Sequence, residues 1–505
     1  MSDATTSITW KNYFGVSSVN IFIATTQNVL SAWLMYYYTT YAGLSIMAVG
    51  TLFAVSKLAG AFFSLFFGEF SDKFGQTRLG KKFGRRRFWL LVIIPVHTVI
   101  FPLVWLPGMG VAYYYAVYIL YNCVLRIPQI IIPTLTTEMT TDSTARAKIE
   151  GMKQAVGAIA TTTLSALPGV MFLYFGKDMA AFTWTMIVCD ALACISLLLQ
   201  YLWSFERPAD ELHFTPGRSA WQEMKMVFRD LGSTLRVRAF RQLLAMFIAQ
   251  ISERTISGYV NTYFIIFVML MSPTVVAGAN SVAYLLGLLF LSFFMWYTIK
   301  TNGATSFRLG AWVTVLVFVA FACLALARPP HAEIWLIGLT IVLNFGKTGI
   351  ANASFYLMSF IPDVDEIVTR ERREALFSGV FNFVDTVIQA LIMFVLGAVL
   401  SATGFQQGVD IQPSSTIISI IVLYTGVPCC FGLWGIIISR RFRLNRENHL
   451  TLLREVERLK QGGEKAQADT QTRAAVEMLT GLPYEQCWQA PMTATTTRTV
   501  DPATR

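Results

Sequence analysis

Twelve long apolar segments, separated by short polar stretches, dominate this sequence. A helix needs about 20 mostly apolar residues to cross a bilayer, and a spanning segment must satisfy its backbone polar groups internally. Only 14% of the 505 residues are charged, whereas soluble domains carry about 25%. The sequence therefore predicts an all-α membrane protein and excludes a soluble multidomain enzyme or a disordered chain.

The predicted spans form two sets of six, separated by a polar stretch, 204–240, that contains eleven charged residues. We predict spans at about 13–39, 45–68, 87–107, 111–133, 150–175, 179–203, 241–270, 274–299, 308–328, 333–359, 374–402 and 415–439. The predicted regions are an N-terminal six-helix bundle at 1–205, a cytoplasmic central loop at 206–240, a C-terminal six-helix bundle at 241–440 and a cytoplasmic tail at 441–505. Two six-helix bundles joined by a long loop form the major facilitator arrangement.

Lysine and arginine are concentrated on one side of the predicted membrane, and this bias orients the chain. The loop after span 2, the central loop and the start of the tail are basic, whereas only Lys177 and Arg328 lie near span ends on the other side. Both termini are therefore predicted to face the cytoplasm, in a bacterial-type plasma membrane. The same bias accounts for the net charge of +10, so we predict no nucleic-acid partner.

The cysteines and the two ends of the chain indicate no further chemistry. Six of the seven cysteines lie in apolar runs, without metal-ligand or disulfide spacing. The N-terminus shows no signal-peptide cleavage site, so we expect span 1 to be retained. In the tail, the spacing of Leu450, Leu453, Val456 and Leu459 predicts a short amphipathic helix, with a second helix at 472–479. Packing of this tail on the cytoplasmic loops or on the lipid headgroups is favoured over a role in binding a partner. We predict no cofactor and no metal.

The loop after span 2 carries a pattern that can hold two bundles together. It reads Gly68-x-x-x-Asp72-Lys73-x-Gly75, followed by Gly84-Arg85-Arg86-Arg87. A glycine permits close helix contact, an aspartate can reach the positive N-terminus of a helix, and arginines hold the cytoplasmic side. The pattern resembles the loop signature of the major facilitator superfamily, with an insertion between its two parts. The residues predicted to latch the bundles are Gly68, Asp72, Lys73, Arg85, Arg86, Asp363 and Arg373.

Further motifs follow in order along the chain. They include Ile127-Pro128 and Glu138-x-Thr140-x-Asp142 at the end of span 4, and Pro362-Asp363-Val364-Asp365-Glu366 and Phe381-Asn382-Phe383 around the start of span 11. Over roughly residues 13–440 the chain resembles the glycoside–pentoside–hexuronide:cation symporter family. This resemblance implies a major facilitator fold and cation-coupled transport of a sugar derivative.

The chain departs from this family where its members bind the coupling ion and the sugar. Members carry a basic residue in span 2 followed by two aspartates that bind sodium, whereas here Lys57 is followed by Gly60 and Ser64. A hard cation prefers oxygen ligands that carry negative charge, so the resemblance does not extend to sodium coupling. The sugar-binding aspartate of span 1 is Ala24 here, and an acidic position of span 4 is Arg126. Galactoside specificity is therefore not implied either.

Six charged residues lie near the middle of predicted spans, where charge is costly and indicates a functional site by default. They are Lys57, Asp190, Glu253, Arg254, Lys347 and Asp385. We expect Lys347 and Asp385 to pair, either as structural cement or as part of the site, and Asp190 to pair locally. The residues predicted to bind substrate are Lys57, Asn122, Arg126, Lys153, Arg254, Lys347 and Asn382, and the candidates for the proton carrier are Glu253 and Asp385.

Cations outnumber acids around the presumed cavity, and surplus cation in a dry cavity is costly unless an anion fills it. We therefore expect a symporter of a small sugar derivative, with a hexuronide or another acidic glycoside favoured and with H⁺ rather than Na⁺ coupling. Two alternatives stay open. One is an amphiphile carrier of the lysophospholipid type with an opening lined by Phe62, Phe63 and Phe66, and the other is a non-transporting membrane sensor. An enzyme is not expected, because no catalytic motif is found.

Reporter fusions test the predicted orientation. Fusions within 69–86, 204–240 and 440–505 are expected to report the cytoplasm, because basic segments are retained on that side of the membrane. A control fusion at 329–331, between spans 9 and 10, is expected to report the opposite side. A tail that reports the external side would contradict the orientation.

Overall fold

The computed structural model describes residues 9–74, 77–139, 143–175, 179–206, 232, 234–370, 373–409 and 411–488. Every regular element in these residues is a helix. The helices group into twelve spans, six on each side of the central loop, which is consistent with the predicted number. The bounds of the central loop stay a prediction, because most of that loop lies outside the described residues.

The helices have the following bounds. The first six spans are built from Trp10–Ser17, Val19–Ile23, the π-helical Ala24–Asn28 and Val29–Thr40 (span 1), Ile46–Phe74 (span 2), Arg87–Val104 (span 3), Val111–Met139 (span 4), Ser143–Phe175 (span 5) and Met179–Trp203 (span 6). The last six are built from Arg238–Tyr263 and the π-helical Phe264–Val268 (span 7), Pro273–Leu285 and Gly287–Lys300 (span 8), Gly303–Ala327 (span 9), Ala332–Met358 (span 10), Glu374–Ala402 (span 11), and Ser414–Ile421, the π-helical Val422–Gly426 and Val427–Arg441 (span 12). Shorter helices outside the spans are Arg78–Phe83, Ile361–Thr369, Arg446–Lys460 and Thr470–Thr480, with 3₁₀ turns at Lys465–Gln467 and Tyr484–Gln486.

Four spans are less apolar or less continuous than most of the others. Among the described residues, eight helices are long and apolar enough to cross a membrane, and span 8 passes as a ninth when its two halves, bent by 41°, are joined. Span 1 is divided by a π-helical segment, and spans 5 and 7 carry charges such as Lys153, Glu253 and Arg254. Charged side chains in a membrane usually face the bundle interior, so spans 5 and 7 are expected to line a cavity.

Spans 2 and 11 bring the two bundles together through a pair of glycines. A Cβ atom built on Gly50 would lie 2.8 Å from the Cα of Gly397 and 2.7 Å from the carbonyl oxygen of Met393. Gly50 lies near the start of span 2 and Gly397 near the end of span 11, so this crossing lies away from the basic loops. Any larger side chain at either position would push the two backbones apart.

Spans 1 and 7 meet at the same end of the molecule. Thr262 Oγ1 donates to the carbonyl oxygen of Ala32 over 2.7 Å, and the hydroxyl groups of Thr39 and Tyr263 lie 2.8 Å apart. In the same way, span 5 packs mainly on Pro273–Leu285, the half of span 8 at this end, and little on the other half. The space between the bundles is therefore closed on the side opposite the basic loops.

The tail contains two helices at the predicted places, and both pack on the Ile361–Thr369 helix between spans 10 and 11. Lys460 Nζ lies 2.6 Å from Glu366 Oε1. The first tail helix buries Leu452, Val456 and Leu459, but Leu450, which the spacing assigned to the same face, is exposed. The tail thus packs on the helix between spans 10 and 11, and its role stays a prediction.

Glu455 joins the first tail helix to the segment that follows the second. Its Oε1 accepts hydrogen bonds from Arg458 Nη2 at 2.7 Å and from the hydroxyl group of Tyr484. Burial by itself would raise the pKa of Glu455, but the hydrogen bonds from Arg458 and Tyr484 outweigh it and lower this pKa below its usual value. The ionised carboxylate is therefore the form that stabilises the packed tail.

Protonation of Glu455 is expected to loosen the tail. Because the folded-state pKa is lowered, the stabilisation is present above the unfolded-state pKa of about 4.3 and is lost as the pH falls through the folded-state value. We expect Glu455→Gln to speed hydrogen exchange in 446–480 at neutral pH, after correction for intrinsic rates, and to converge with wild type as the pH falls below the lowered folded-state pKa of Glu455. Glu457→Gln, exposed on the same helix, is the control. A difference that persists unchanged in acid would contradict this role.

Candidate functional site

A central cavity lies between the two bundles and is lined by spans 1, 5, 7, 8, 10 and 12. The side chains that give it polar and aromatic character are Trp33, Asn261, Asn280, Asn344, Lys347 and Tyr424. Amide groups both donate and accept hydrogen bonds, and aromatic rings offer flat apolar surfaces with a specific geometry. The cavity is therefore chemically suited to a small ligand with several hydroxyl groups and one apolar face.

Two π-helical segments adjoin the cavity and contact each other. Tyr424, in the π-helical part of span 12, donates its hydroxyl hydrogen to Asn261 Oδ1 over 2.8 Å. Its ring stacks on Phe264, at the start of the π-helical part of span 7, with the ring centroids 4.4 Å apart. Segments of this kind recur at functional sites. Here they hold the Asn261 amide in one orientation at the cavity wall.

Glu253 and Lys347 form a pair that we call the inner pair. Lys347 Nζ lies 3.8 Å from Glu253 Oε1 and donates to Ser257 Oγ over 2.7 Å. The Glu253 side chain is only 3% exposed, and its Oε1 atom has no hydrogen-bond partner among the described residues. A separation of 3.8 Å compensates charge without a hydrogen bond. One buried carboxylate oxygen is thus left able to take a proton.

Four residues form a second group that we call the outer network. Lys57 Nζ donates to Gln389 Oε1 over 2.9 Å, and Gln389 Nε2 donates to Asp385 Oδ2 over 2.6 Å. Arg254 Nη2 lies 3.3 Å from Asp385 Oδ1, and the two side chains are 56% and 29% exposed. The outer network therefore links span 2 of the N-terminal bundle to spans 7 and 11 of the C-terminal bundle.

Arg126 lies beside the outer network, against span 2. A Cβ atom built on Gly60 would be 3.3 Å from Arg126 Nε, and Arg126 Nη1 donates to Gln129 Oε1 over 3.2 Å. The two positions predicted to depart from the family are thus adjacent in space, because glycine at position 60 leaves room for the guanidinium group of Arg126. That no sodium ligand is present here stays a prediction.

One predicted pair is wrong and one is confirmed. Lys347 pairs with Glu253 rather than with Asp385, whose partners are Arg254 and Gln389. Matching depth on consecutive spans did not determine the pairing, because the rotation of each helix about its axis turns the two side chains toward different neighbours. Asp190 pairs locally, as expected, with His97 Nδ1 2.7 Å from its Oδ1 between spans 3 and 6.

For three further residues predicted to bind substrate, the described contacts and exposure do not test that role. Asn122 Nδ2 donates to the carbonyl oxygen of Tyr118 over 3.0 Å. The backbone oxygen of Lys153 accepts a hydrogen bond from Asn20. Asn382 is exposed on span 11, one turn before Asp385. Their role in binding a substrate stays a prediction.

The first part of the predicted latch is only partly described. Gly68, Asp72 and Lys73 belong to span 2, but the structure does not describe the contacts of these three residues. Arg85 is buried, and the backbone N–H of Arg86 donates to Glu206 Oε1 over 2.9 Å. These contacts fasten the loop to the end of span 6, within the N-terminal bundle.

The second part of the predicted latch makes its described contacts within the C-terminal half. Asp363 Oδ2 lies 2.8 Å from Nε2 of His449, in the tail. Arg373 binds both oxygens of Asp365, with Nη2–Oδ1 at 2.7 Å and Nε–Oδ2 at 2.8 Å. A role for Asp363 and Arg373 in holding the two bundles together stays a prediction.

The two amides Asn280 and Asn344 were not among the predicted site residues. Asn344 Nδ2 donates to the carbonyl oxygen of Ala283 over 2.6 Å, which joins spans 10 and 8 beside the cavity. A signal was available in the sequence, since each is a single amide inside an apolar run. Trp33 carried no such signal, because a tryptophan in a span more often serves as an interface anchor or as core.

A two-bundle helical fold around a polar cavity defines a membrane transporter of the major facilitator type. The chain belongs to the MFS/sugar transport protein family, whose profile matches residues 15–446. It is 27% identical over 201 residues to the isoprimeverose transporter of Lactiplantibacillus pentosus, a match that covers 39% of this chain and 41% of that protein. It is 22% identical over 406 residues to the putative glycoside/cation symporter YagG of Escherichia coli K12, covering 78% and 83% of the two chains. The resemblance to the glycoside–pentoside–hexuronide:cation symporter family is thereby confirmed.

Solved structures show the same fold. The nucleoside transporter NupG matches with a TM-score of 0.58 at 13% identity, over 86% of this chain and 98% of that one. A D-xylose–proton symporter matches with a TM-score of 0.59 at 12% identity, over 85% and 95% of the chains. These comparisons confirm the predicted major facilitator fold, and the proteins compared are transporters rather than enzymes.

Removing one member of the inner pair is expected to cost more stability than removing both. Lys347→Met leaves the Glu253 carboxylate buried without its cation, which typically costs about 3–5 kcal/mol. Glu253→Gln/Lys347→Met is expected to recover most of this loss. Thermal unfolding in detergent measures both variants, with Lys300→Met at the exposed end of span 8 as the control. A double variant as unstable as the single one would show that the pair does not compensate charge.

Proposed function

We propose that this protein is an H⁺-coupled symporter of a small sugar derivative, with a hexuronide or another acidic glycoside as the favoured substrate. The inner pair carries this proposal, because it places a buried carboxylate with an unpartnered oxygen next to a cavity lined by amides and aromatic rings. The names of the relatives support a sugar derivative, since one is an isoprimeverose transporter and one a putative glycoside/cation symporter.

A proton suits the described charged groups of the spans better than a sodium ion does. Gly60 and Ser64 supply no carboxylate, and the Ser64 hydroxyl already donates to the carbonyl oxygen of Ala61 over 2.6 Å. The Arg126 guanidinium lies against Gly60 and repels a cation from this part of span 2. The acids of the site lie in the C-terminal bundle, where Glu253 and Asp385 each face a basic partner.

Glu253 is the better of the two candidates for the proton carrier. Its side chain is 3% exposed, whereas that of Asp385 is 29% exposed and already accepts hydrogen bonds at both oxygens. A proton on Glu253 Oε1 removes the charge that faces Lys347, and the ammonium group is then available to a substrate in the cavity. Loss of the proton restores the pair and favours release. Binding of proton and substrate is coupled in this way.

Movement of the two bundles completes the cycle. The contacts of Gly50 with Gly397 and of spans 1 with 7 close the cavity on one side. Major facilitator transporters work by rocking two bundles around a site near the membrane midplane. These contacts separate, in the proposed cycle, when the cavity opens to the side opposite the basic loops.

An amphiphile carrier is the second candidate. Of the residues predicted to line its opening, Phe62 and Phe66 are 52% and 58% exposed, whereas the ring of Phe63 stacks on that of Phe67 with the centroids 5.6 Å apart. Phe70, four residues after Phe66 on span 2, is 54% exposed. Residues four apart share one face of a helix, so this aromatic face could accompany the tail of a lysolipid. It equally suits contact with bilayer lipid.

Uptake into proteoliposomes tests the proposal. Acidic glycosides, neutral glycosides and lysolipids are offered separately, with pH and sodium gradients imposed one at a time. A pH gradient, inside alkaline, is expected to drive accumulation of a glycoside, and a sodium gradient is expected to have no effect. Sodium-driven accumulation would contradict proton coupling, lysolipid uptake would favour the second candidate, and the absence of any uptake would favour a sensor.

Glu253→Gln is expected to abolish pH-driven accumulation but to retain exchange of internal for external substrate, because exchange need not release the proton. A monovalent anion carried with one proton forms a neutral complex, so the membrane potential contributes nothing to its accumulation. A neutral sugar carried with one proton would gain about 2.3 kcal/mol per 100 mV, roughly fifty-fold. Glu333→Gln, exposed at the start of span 10, is the control. If Glu253→Gln accumulates substrate as wild type does, Glu253 is not the carrier and Asp385 becomes the next candidate.

A further inference from the structure

We propose that Lys57, Arg126 and Arg254 form a subsite for the carboxylate of the substrate, and that a bound carboxylate displaces Asp385 from Arg254. This inference rests on the proposed transport of a sugar derivative and deepens it. In this proposal the three cations recognise the negative charge of the substrate. Asp385 competes with the substrate carboxylate for Arg254.

The charges around the outer network are unequal. Lys57 interacts electrostatically with Arg126, Arg254 and Asp385, and Arg126 interacts with Asp385. Three cations thus share one carboxylate in this part of the described structure. The other nearby acid, Glu253, lies in the inner pair with Lys347. An added carboxylate would bring the charge of this group closer to balance.

The described hydrogen bonds of two of these cations go to neutral groups. Lys57 Nζ donates to the amide oxygen of Gln389, and Arg126 Nη1 donates to that of Gln129. The donors of these bonds carry charge but the acceptors do not, and an ionised acceptor adds the attraction between opposite charges. A substrate carboxylate would therefore compete well for both donors.

The contact between Arg254 and Asp385 is a weak interaction within the outer network. The atoms Nη2 and Oδ1 are 3.3 Å apart, only one such contact is formed, and the Arg254 side chain is 56% exposed. Exposed ion pairs with one contact contribute little. A guanidinium group binds a carboxylate best with two parallel hydrogen bonds, and a mobile ligand can adopt that geometry where Asp385, held by Gln389, does not.

The three cations come from both bundles, which connects binding to movement. Lys57 and Arg126 belong to spans 2 and 4, whereas Arg254 belongs to span 7. A carboxylate that contacts Arg126 and Arg254 at once would join the N-terminal bundle to the C-terminal bundle. Neutral glycosides would lack this bridge, so the subsite would favour acidic substrates in transport as well as in binding.

Binding measurements with matched ligands test the subsite. A methyl glucuronide and the corresponding methyl glucoside differ only in the carboxylate, and ligand-induced thermal shifts of the purified full-length protein give the affinity for each. The wild-type protein is expected to prefer the uronide by about tenfold or more, as for a charge-assisted hydrogen bond. Arg126→Gln and Arg254→Gln are expected to lose this preference while affinity for the glucoside is retained. Arg443→Gln, exposed in the segment after span 12, is the control.

The variant Asp385→Asn distinguishes the proposed subsite from general damage to the fold. Removing the competing carboxylate is expected to raise affinity for the uronide several-fold and to leave that for the glucoside unchanged. A misfolded variant would lose affinity for both ligands. Equal effects on the two ligands, or a uronide preference that survives in Arg126→Gln and Arg254→Gln, would overturn the subsite. If the wild-type protein neither binds nor transports either sugar, the proposed function fails instead.

Discussion

A charged side chain at membrane depth is costly unless another group compensates it, and four charged residues of spans 7, 10 and 11 lie in two compensating pairs. Glu253 is almost completely buried and has Lys347 opposite, 3.8 Å away. Arg254, the next residue on the same helix, turns instead toward Asp385 in a more exposed group. Consecutive residues of one span thus supply two groups with different properties, one enclosed and suited to hold a proton, the other open and suited to contact a ligand.

The contacts that close the cavity are of a different kind. Gly50 and Gly397 let two helix backbones approach, and hydroxyl and carbonyl groups join spans 1 and 7. No ion pair between the bundles is among these contacts. Breaking them exposes small surfaces and single hydrogen bonds rather than unpaired charges. The described contacts that close the cavity thus involve none of the charged groups of the inner pair or the outer network.

Two positions predicted to depart from the family lie together in the fold. Gly60 and Arg126 are 66 positions apart in the sequence. In the structure the Arg126 side chain lies against Gly60, and a Cβ atom at position 60 would be 3.3 Å from its Nε atom. This part of span 2 therefore faces a positive charge, which repels a cation and attracts an anion.

The sequence alone determined the helical class, the placement of the spans, the two-bundle arrangement and the presence of charges at membrane depth, because hydropathy and segment length are local properties of the chain. The family motifs could also be recognised from the sequence, because each is a short contiguous run of residues. Only the tertiary structure decided that Lys347 faces Glu253 rather than Asp385, and that Asn280 and Asn344 line the cavity. Those outcomes depend on how each helix is rotated about its axis and on which distant helix it packs against. Spacing along one chain specifies neither.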